Sequence, residues 1–228
     1  AELVDKLAAA GVVSITFDVV FSEPEPNMAT AIAATQDATP IAHNLLQLAP
    51  QFDYDSRMAE SIGKIDVTLG YILHDETFRT GEMPASQIDL SPELVQQTSV
   101  ENARGYTTNI PVLQQATRGE GFINGPPDSD GIVRRAPLVL RYGDQLYPSL
   151  ALQTAMTYLL LDTVKPTVIN SGNSVYLQSV ELGDKLIHTD EKGQMLVPYR
   201  GHRGSFPYIP AVDVLNGKVD PALLSGSI

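Results

Sequence analysis

Apolar and polar positions alternate along this chain in a way that predicts helices and strands in turn. Leu3, Val4, Leu7 and Ala8 recur on one helical face, and Gly11 stands where a left-handed C-terminal residue belongs. Residues 12–21 are then a nearly unbroken apolar run rich in β-branched side chains, the pattern of a strand buried on both faces. The run predicts the longest and most central strand of a sheet, interrupted only by Asp18. Residues 22–26 read as a loop, and Asn27 as the N-cap of a short Ala-rich helix to about Thr35. Residues 40–50 fit either helix or loop. Residues 53–62 are helical and followed by Gly63, and residues 64–73 read as a second strand. Residues 74–100 form a polar excursion with one helical turn after Ser91-Pro92.

The second half predicts a short helix over 111–117, strands over 119–124 and 134–142, and a turn at Gly143-Asp144. Residues 148–161 carry the clearest helical pattern, with Leu150, Ala151, Thr154, Ala155, Tyr158 and Leu159 on one face. From about 164 to 205 short β-like pieces (174–182, 185–188, 195–199) alternate with Gly-containing turns. Residues 211–216 and 221–224 return to helical turns. This order predicts an α/β fold over 1–228 as a single domain: a mixed sheet with helices on both faces and a β-hairpin-rich C-terminal third.

Composition narrows the function. Twenty-seven acidic against 15 basic residues leave a net charge of −12, a field that disfavours nucleic acid and anionic membrane surfaces. Cysteine is absent, which excludes disulfides, zinc–thiolate sites and a cysteine nucleophile. No apolar run approaches the ~20 residues that span a bilayer, and no leader peptide is recognisable. Both ends read as cut, the first inside a helical pattern and the last where an apolar strand is about to start.

Catalytic signatures fail. Gly119-Glu120-Gly121-Phe122-Ile123-Asn124-Gly125 comes near a dinucleotide fingerprint, but it has one residue too many before the third Gly and precedes a strand instead of a helix. There is no P-loop, no nucleophile elbow and no His-Glu-x-x-His motif. His43, His74, His188 and His202 are scattered. Asp128-Ser129-Asp130-Gly131 opens like a calcium loop, yet its Gly comes too soon and position twelve is Val139. No catalytic residue, metal site or cofactor is expected.

Candidate ligand chemistry sits in one segment. After a Pro126-Pro127 corner, Asp128 and Asp130 precede Arg134 and Arg135, and Asn124 lies just before the corner. Asp18, as a carboxylate within an apolar strand, needs a cationic partner, so it is expected to meet the 128–135 segment. That meeting is either an ion-paired lock or a binding site. Arg200-Gly201-His202-Arg203-Gly204 forms a basic island, which makes Arg200 a further anion-binding candidate against the simpler reading of a solvated loop.

Four blocks resemble the type-2 CHASE domain, the "cyclases/histidine kinases associated sensory extracellular" module. The first runs from Leu7-Ala8-Ala9-Ala10-Gly11 to Phe17-Asp18-Val19-Val20-Phe21-Ser22-Glu23-Pro24. The second holds Asp55, Met58-Ala59 and Leu69-Gly70-Tyr71. The third and most specific holds Gly121-Phe122-Ile123-Asn124, Asp128, Asp130-Gly131, Val133-Arg134-Arg135, Pro137-Leu138 and Tyr147-Pro148-Ser149-Leu150-Ala151-Leu152. The last holds Gly193, Tyr199-Arg200-Gly201, Phe206, Asp213-Val214-Leu215 and Leu224-Ser225-Gly226. The family's first strand and its final strand are missing here, and residues 27–50 are longer than the usual loop. The resemblance implies an extracytoplasmic sensor domain of a bacterial inner-membrane receptor, flanked by transmembrane helices. Such domains feed an intracellular adenylate or guanylate cyclase, a histidine kinase or a Ser/Thr kinase. The stimulus is expected to be a small molecule, or an ion or proton acting through the acidic–basic cluster of Asp128, Asp130, Arg134 and Arg135. Two other readings remain open: a ligand-free module that sets the geometry of a homodimer, and a hydrolase-like enzyme using Asp18 and Asp130.

Overall fold

The computed structural model describes residues 1–36, 39–125, 128, 130–171, 174–202 and 204–228. Pro126, Pro127, Ser129 and Arg203, which belong to the corner, the turn and the basic island read above, lie outside the described residues. Helix α1 (Glu2–Ala9) passes through Gly11, with a φ of 83°, into strand β1 (Ser14–Phe17). Helix α2 (Met28–Ala34) is capped by the Asn27 side chain, α3 (Pro40–Leu48) by Thr39, and α4 (Tyr54–Ile62) by Asp53. Strand β2 (Asp66–His74) is followed by β3 (Arg79–Thr80), α5 (Pro92–Gln97), β4 (Asn102–Ala103), β5 (Gly105–Thr107) and α6 (Pro111–Gln114). Then come β6 (Gly119–Phe122), β7 (Arg135–Pro137), β8 (Val139–Tyr142), β9 (Gln145–Pro148) and α7 (Leu150–Tyr158). The last third holds β10 (Lys165–Ser171), β11 (Ser174–Leu182), β12 (Lys185–His188), β13 (Gln194–Leu196) and α8 (Ala211–Leu215).

The fold is mixed α/β, but its central strand is not the one the apolar run predicts. Thr68 and Leu69 of β2 pair in parallel with Thr16 and Phe17 of β1 and also with Gly119 and Glu120 of β6. Strand β2 therefore lies between them. Further along, β2 pairs antiparallel with β5, which pairs in parallel with β3, so the sheet is mixed. Strand β1 is only 4 residues long. The chain leaves the ladder after Phe17: Asp18 and Val19 are exposed, and Phe21 N donates to the Asn109 side chain instead of to a strand. The β-branched run was apolar enough for a longer strand, but only four of its residues find a neighbour.

Side chains alternate between two helical layers. On one face Ile15, Val67 and Leu69 pack with Val4 of α1, Ile62 of α4 and Leu113 of α6. The other face meets α7 through a layer of threonines and glycines. Thr16 and Thr154 hydroxyls lie 2.9 Å apart, and Thr68 donates to Thr157 at 3.1 Å. Gly119 and Gly121 let α7 lie directly on β6: a Cβ at Gly121 would stand 2.6 Å from Leu150 Cα.

Helix α7 buries Leu152, Gln153, Met156 and Thr157; of the apolar stripe, Thr154 and Ala155 are half-buried and Tyr158 and Leu159 exposed. The helix lies between two cores. Leu152 and Met156 join a second core with Val95, Leu146, Leu177 and Val180, under the antiparallel sheet of β10, β11 and β12. The stripe is left for a different surface. The short pieces read over 174–182 and 185–188 coincide with β11 and β12. The strand read over 134–142 is two strands: β7 pairs with β13, and β8 with β4 and β9.

Candidate ligand-binding cleft

In an open parallel sheet the carboxyl ends of the strands frame a crevice, because the chain leaves the sheet there in different directions. Such a cleft, of about 720 Å³, opens here between the ends of β1 and β6, the first turns of α7 and the β7–β13 ribbon. The outward stripe of α7 supplies one wall with Leu150, Ala151 and Thr154. Phe122, Ile123, Pro137 and Met195 add further apolar lining. Asp18, Asn124 and Arg135 reach the same cleft, as does Ile228.

The residues singled out from the sequence divide into three groups. Asp18 and Arg135 line the cleft, from the bend after β1 and from the start of β7. Asp18 is not a carboxylate within a strand. It sits past the strand end, exposed, and among the described residues has neither an ion pair nor a side-chain hydrogen bond. Asn124 lines the cleft but is engaged: its Nδ2 donates to Leu73 O at 2.6 Å and its Oδ1 accepts from Leu73 N at 3.0 Å.

Asp128, Asp130 and Arg134 form a separate surface clamp. Arg134 donates to both oxygens of Asp130 (2.9 and 2.8 Å) and to Asp128 at 3.1 Å. No ion pair joins Asp18 to Arg134 or Arg135 among the described residues; Arg134 instead makes a local lock, favoured because Asp130 lies 4 residues from its partner. Arg200 lies exposed and lines none of this cleft.

The clamp is a weak candidate for proton sensing. The Arg134 guanidinium holds the Asp130 carboxyl below the usual carboxylate range. With a depressed folded pKa, its stabilisation is present above the unfolded value and is lost only as pH falls through the folded one. That loss for Asp130 falls in acid, away from neutral pH. Because the pair is half-exposed, Arg134→Met is expected to leave the urea midpoint at neutral pH within error of the parent's. A clear drop in midpoint would mean the clamp is structural.

Comparison with protein families decides the broader class. The family model of the CHASE2 domain matches residues 1–228, the whole chain. The chain belongs to the CHASE2 domain family. CHASE2 domains are extracellular sensory domains of cyclase and kinase receptors. No curated protein and no solved structure gives a significant match to the chain. No helix of this CHASE2 domain is long and apolar enough to cross a membrane, among the described residues. Among those residues, too, no group of three His, Asp or Glu is arranged to hold a metal ion.

The sequence reading missed the buried charge of this CHASE2 domain. Glu120, in the middle of β6, is only 7 % exposed. No cation meets it among the described residues. Its carboxylate accepts from Asn109 Nδ2 at 2.6 Å and Gln114 Nε2 at 2.9 Å. Asn109 also donates to Gly70 O (2.9 Å) and accepts from Phe21 N (2.8 Å), so one amide ties β6, β2 and the chain beyond β1 together. Burial pushes the Glu120 carboxyl above its ordinary value, and the two amides pull it part of the way back. A signal was available: Glu120 is the acidic residue inside a buried strand, the situation assigned instead to Asp18.

Proposed function

We propose that this chain is the extracytoplasmic input domain of a bacterial membrane receptor, with transmembrane helices outside residues 1–228 and an intracellular cyclase or kinase as output. The domain binds its stimulus in the cleft at the ends of β1 and β6 and performs no chemistry itself. The match of the whole chain to a family of sensory domains is the observation that carries this reading. The cleft supports it, because it joins three separate elements whose relative position a ligand can bias.

One observation favours a second reading, a ligand-free dimerisation module. Helices α2 and α3 turn Met28, Ile32, Ile41 and Leu46 to solvent. Two experiments on the intact receptor separate the possibilities. A phosphatase that is active only outside the cytoplasm, inserted after Gly217, is expected to be active; an inactive insertion overturns the extracytoplasmic placement. Ala151→Glu, which fills the cleft, is expected to abolish stimulus-dependent output, whereas Ile41→Glu leaves it in place. The reverse result makes the domain a dimerisation module.

A further inference from the structure

We propose that the α2–α3 hairpin is a membrane-contacting arm, whose apolar face lies in the interface of the bilayer that carries the receptor. Its two helices pack on each other and on the 3₁₀ turn Ala49–Phe52. They bury only Ala29, Ala33 and Ala42, and among the described residues none of theirs joins a hydrophobic core of the body. The arm is held at its neck: Glu25 N donates to Asp55 Oδ2 at 2.9 Å, and Asn27 Nδ2 to Ala49 O at 2.8 Å.

Two features set this arm apart. Exposed apolar side chains repeat along both helices, Met28 and Ile32 one turn apart on α2, Ile41 and Leu48 two turns apart on α3. Charge is almost absent: residues 27–50 hold no Lys, Arg or Glu and a single Asp, at 37, in a chain with 15 basic and 27 acidic residues. The arm therefore escapes the repulsion that keeps the acidic remainder from a membrane surface. Having no basic residue to attract headgroups, it is held by apolar burial alone.

Direction selects the bilayer over a second copy of the chain. Helix α1 leads into β1 and α4 into β2, so both helices start at the end of the sheet where the strands finish. Ala1, Glu25 and Tyr54 accordingly line one hollow there. The last residues reach the same end. Gly226 N donates to Gly11 O at 2.9 Å and Val13 N to Ser227 O at 2.8 Å, so they run beside β1 in its own direction, and Ile228 lines the cleft. Transmembrane helices continuing from both ends put the bilayer on this side, and the inference rests on that proposed attachment. Receptors standing side by side then turn the arm toward lipid and not toward each other. Tethering keeps the arm at the surface, so a few apolar side chains suffice.

The test uses the intact receptor in phosphatidylcholine vesicles, with a fluorophore on Ile32→Cys or, separately, on Tyr158→Cys. The domain has no cysteine of its own. Helix α7 runs from Gly121 back past Gly119, which places the exposed Tyr158 at the opposite end of the sheet as an apolar control. A nitroxide carried on the lipid chains is expected to quench the label at 32 at least about fivefold more than the label at 158. Adding Ile41→Glu to the Ile32→Cys receptor is expected to bring quenching down to the control's level, since a carboxylate resists entering the interface. Both positions are exposed, so neither substitution disturbs packing. The phosphatase insertion after Gly217 reports placement independently, so an active insertion with equal quenching at 32 and 158 overturns the arm and leaves the receptor reading standing. A disulfide between two receptors through Ile41→Cys would then name a second copy as the occupant. Quenching at 32 that Ile41→Glu leaves unchanged also overturns the proposal.

Discussion

Asn109→Ala is expected to lower the stability of the domain by about 3 kcal/mol at neutral pH, read from urea unfolding. The side chain is wholly buried and satisfies three groups at once: Phe21 N–H, Gly70 C=O and the Glu120 carboxylate. Truncation strands all three, and a stranded buried group costs more than a hydrogen bond contributes, because it loses water without replacement. The variant also has a distinctive pH dependence. Glu120 has a folded pKa raised by burial, so its favourable contribution is present below the unfolded value and is lost as pH rises through the folded one. Removing an amide that holds the pKa down raises it further and widens that window of loss. The deficit relative to the parent should therefore shrink as pH is taken from about 8 to about 5. A deficit under about 1 kcal/mol, or one of the same size at both pH values, would show that water replaces the amide.

Gly121→Ala is expected to be nearly as damaging, at about 3 kcal/mol, the upper end of overpacking costs. The new Cβ would lie 2.6 Å from Leu150 Cα and N and 2.7 Å from Ser149 C. These are backbone atoms, so no rotamer change makes room. Relief requires lifting α7 from the sheet, which stretches the Thr16–Thr154 and Thr68–Thr157 contacts and tilts the wall of the cleft. Gly63→Ala is the control. Gly63 has a right-handed φ of −66° and its new Cβ would meet only Ala59 O at 3.5 Å and Glu60 O at 3.8 Å, both ordinary contacts. That variant should match the parent or gain slightly, since alanine restricts the unfolded chain. Equal midpoints for the two variants would mean that α7 moves freely on β6.

Much of the architecture was legible because it is written locally. Asn27 announced its helix by capping chemistry, Gly11 its turn by conformation, and the strands over 174–182 and 185–188 were announced by the turn between them. What failed depended on partners distant in sequence. Residues 12–21 have the composition of a long central strand, but pairing, not composition, sets where a strand ends. The apolar stripe of α7 was visible, but periodicity identifies a face without saying what it meets. A helix between two cores can bury Gln153 and Thr157 and leave leucines outside. For the candidate site, the charged residues of 128–135 were visible as a cluster, yet only Arg135 lines the cleft. The role of Asn109 was invisible, because its partners lie 11 residues away at Glu120 and 39 away at Gly70.

Asn124 carries a consequence of another kind. Strand β2 continues past the last paired residue of β6, and there the Asn124 side chain gives Leu73 the donor and the acceptor that a neighbouring strand would have given. An uncovered strand edge is a template on which a strand from another molecule can add, the first step of edge-to-edge aggregation. By filling that edge with an amide from its own chain, the domain closes a route to unwanted self-assembly. A residue first noticed as possible ligand chemistry thus protects one stretch of strand edge from such pairing.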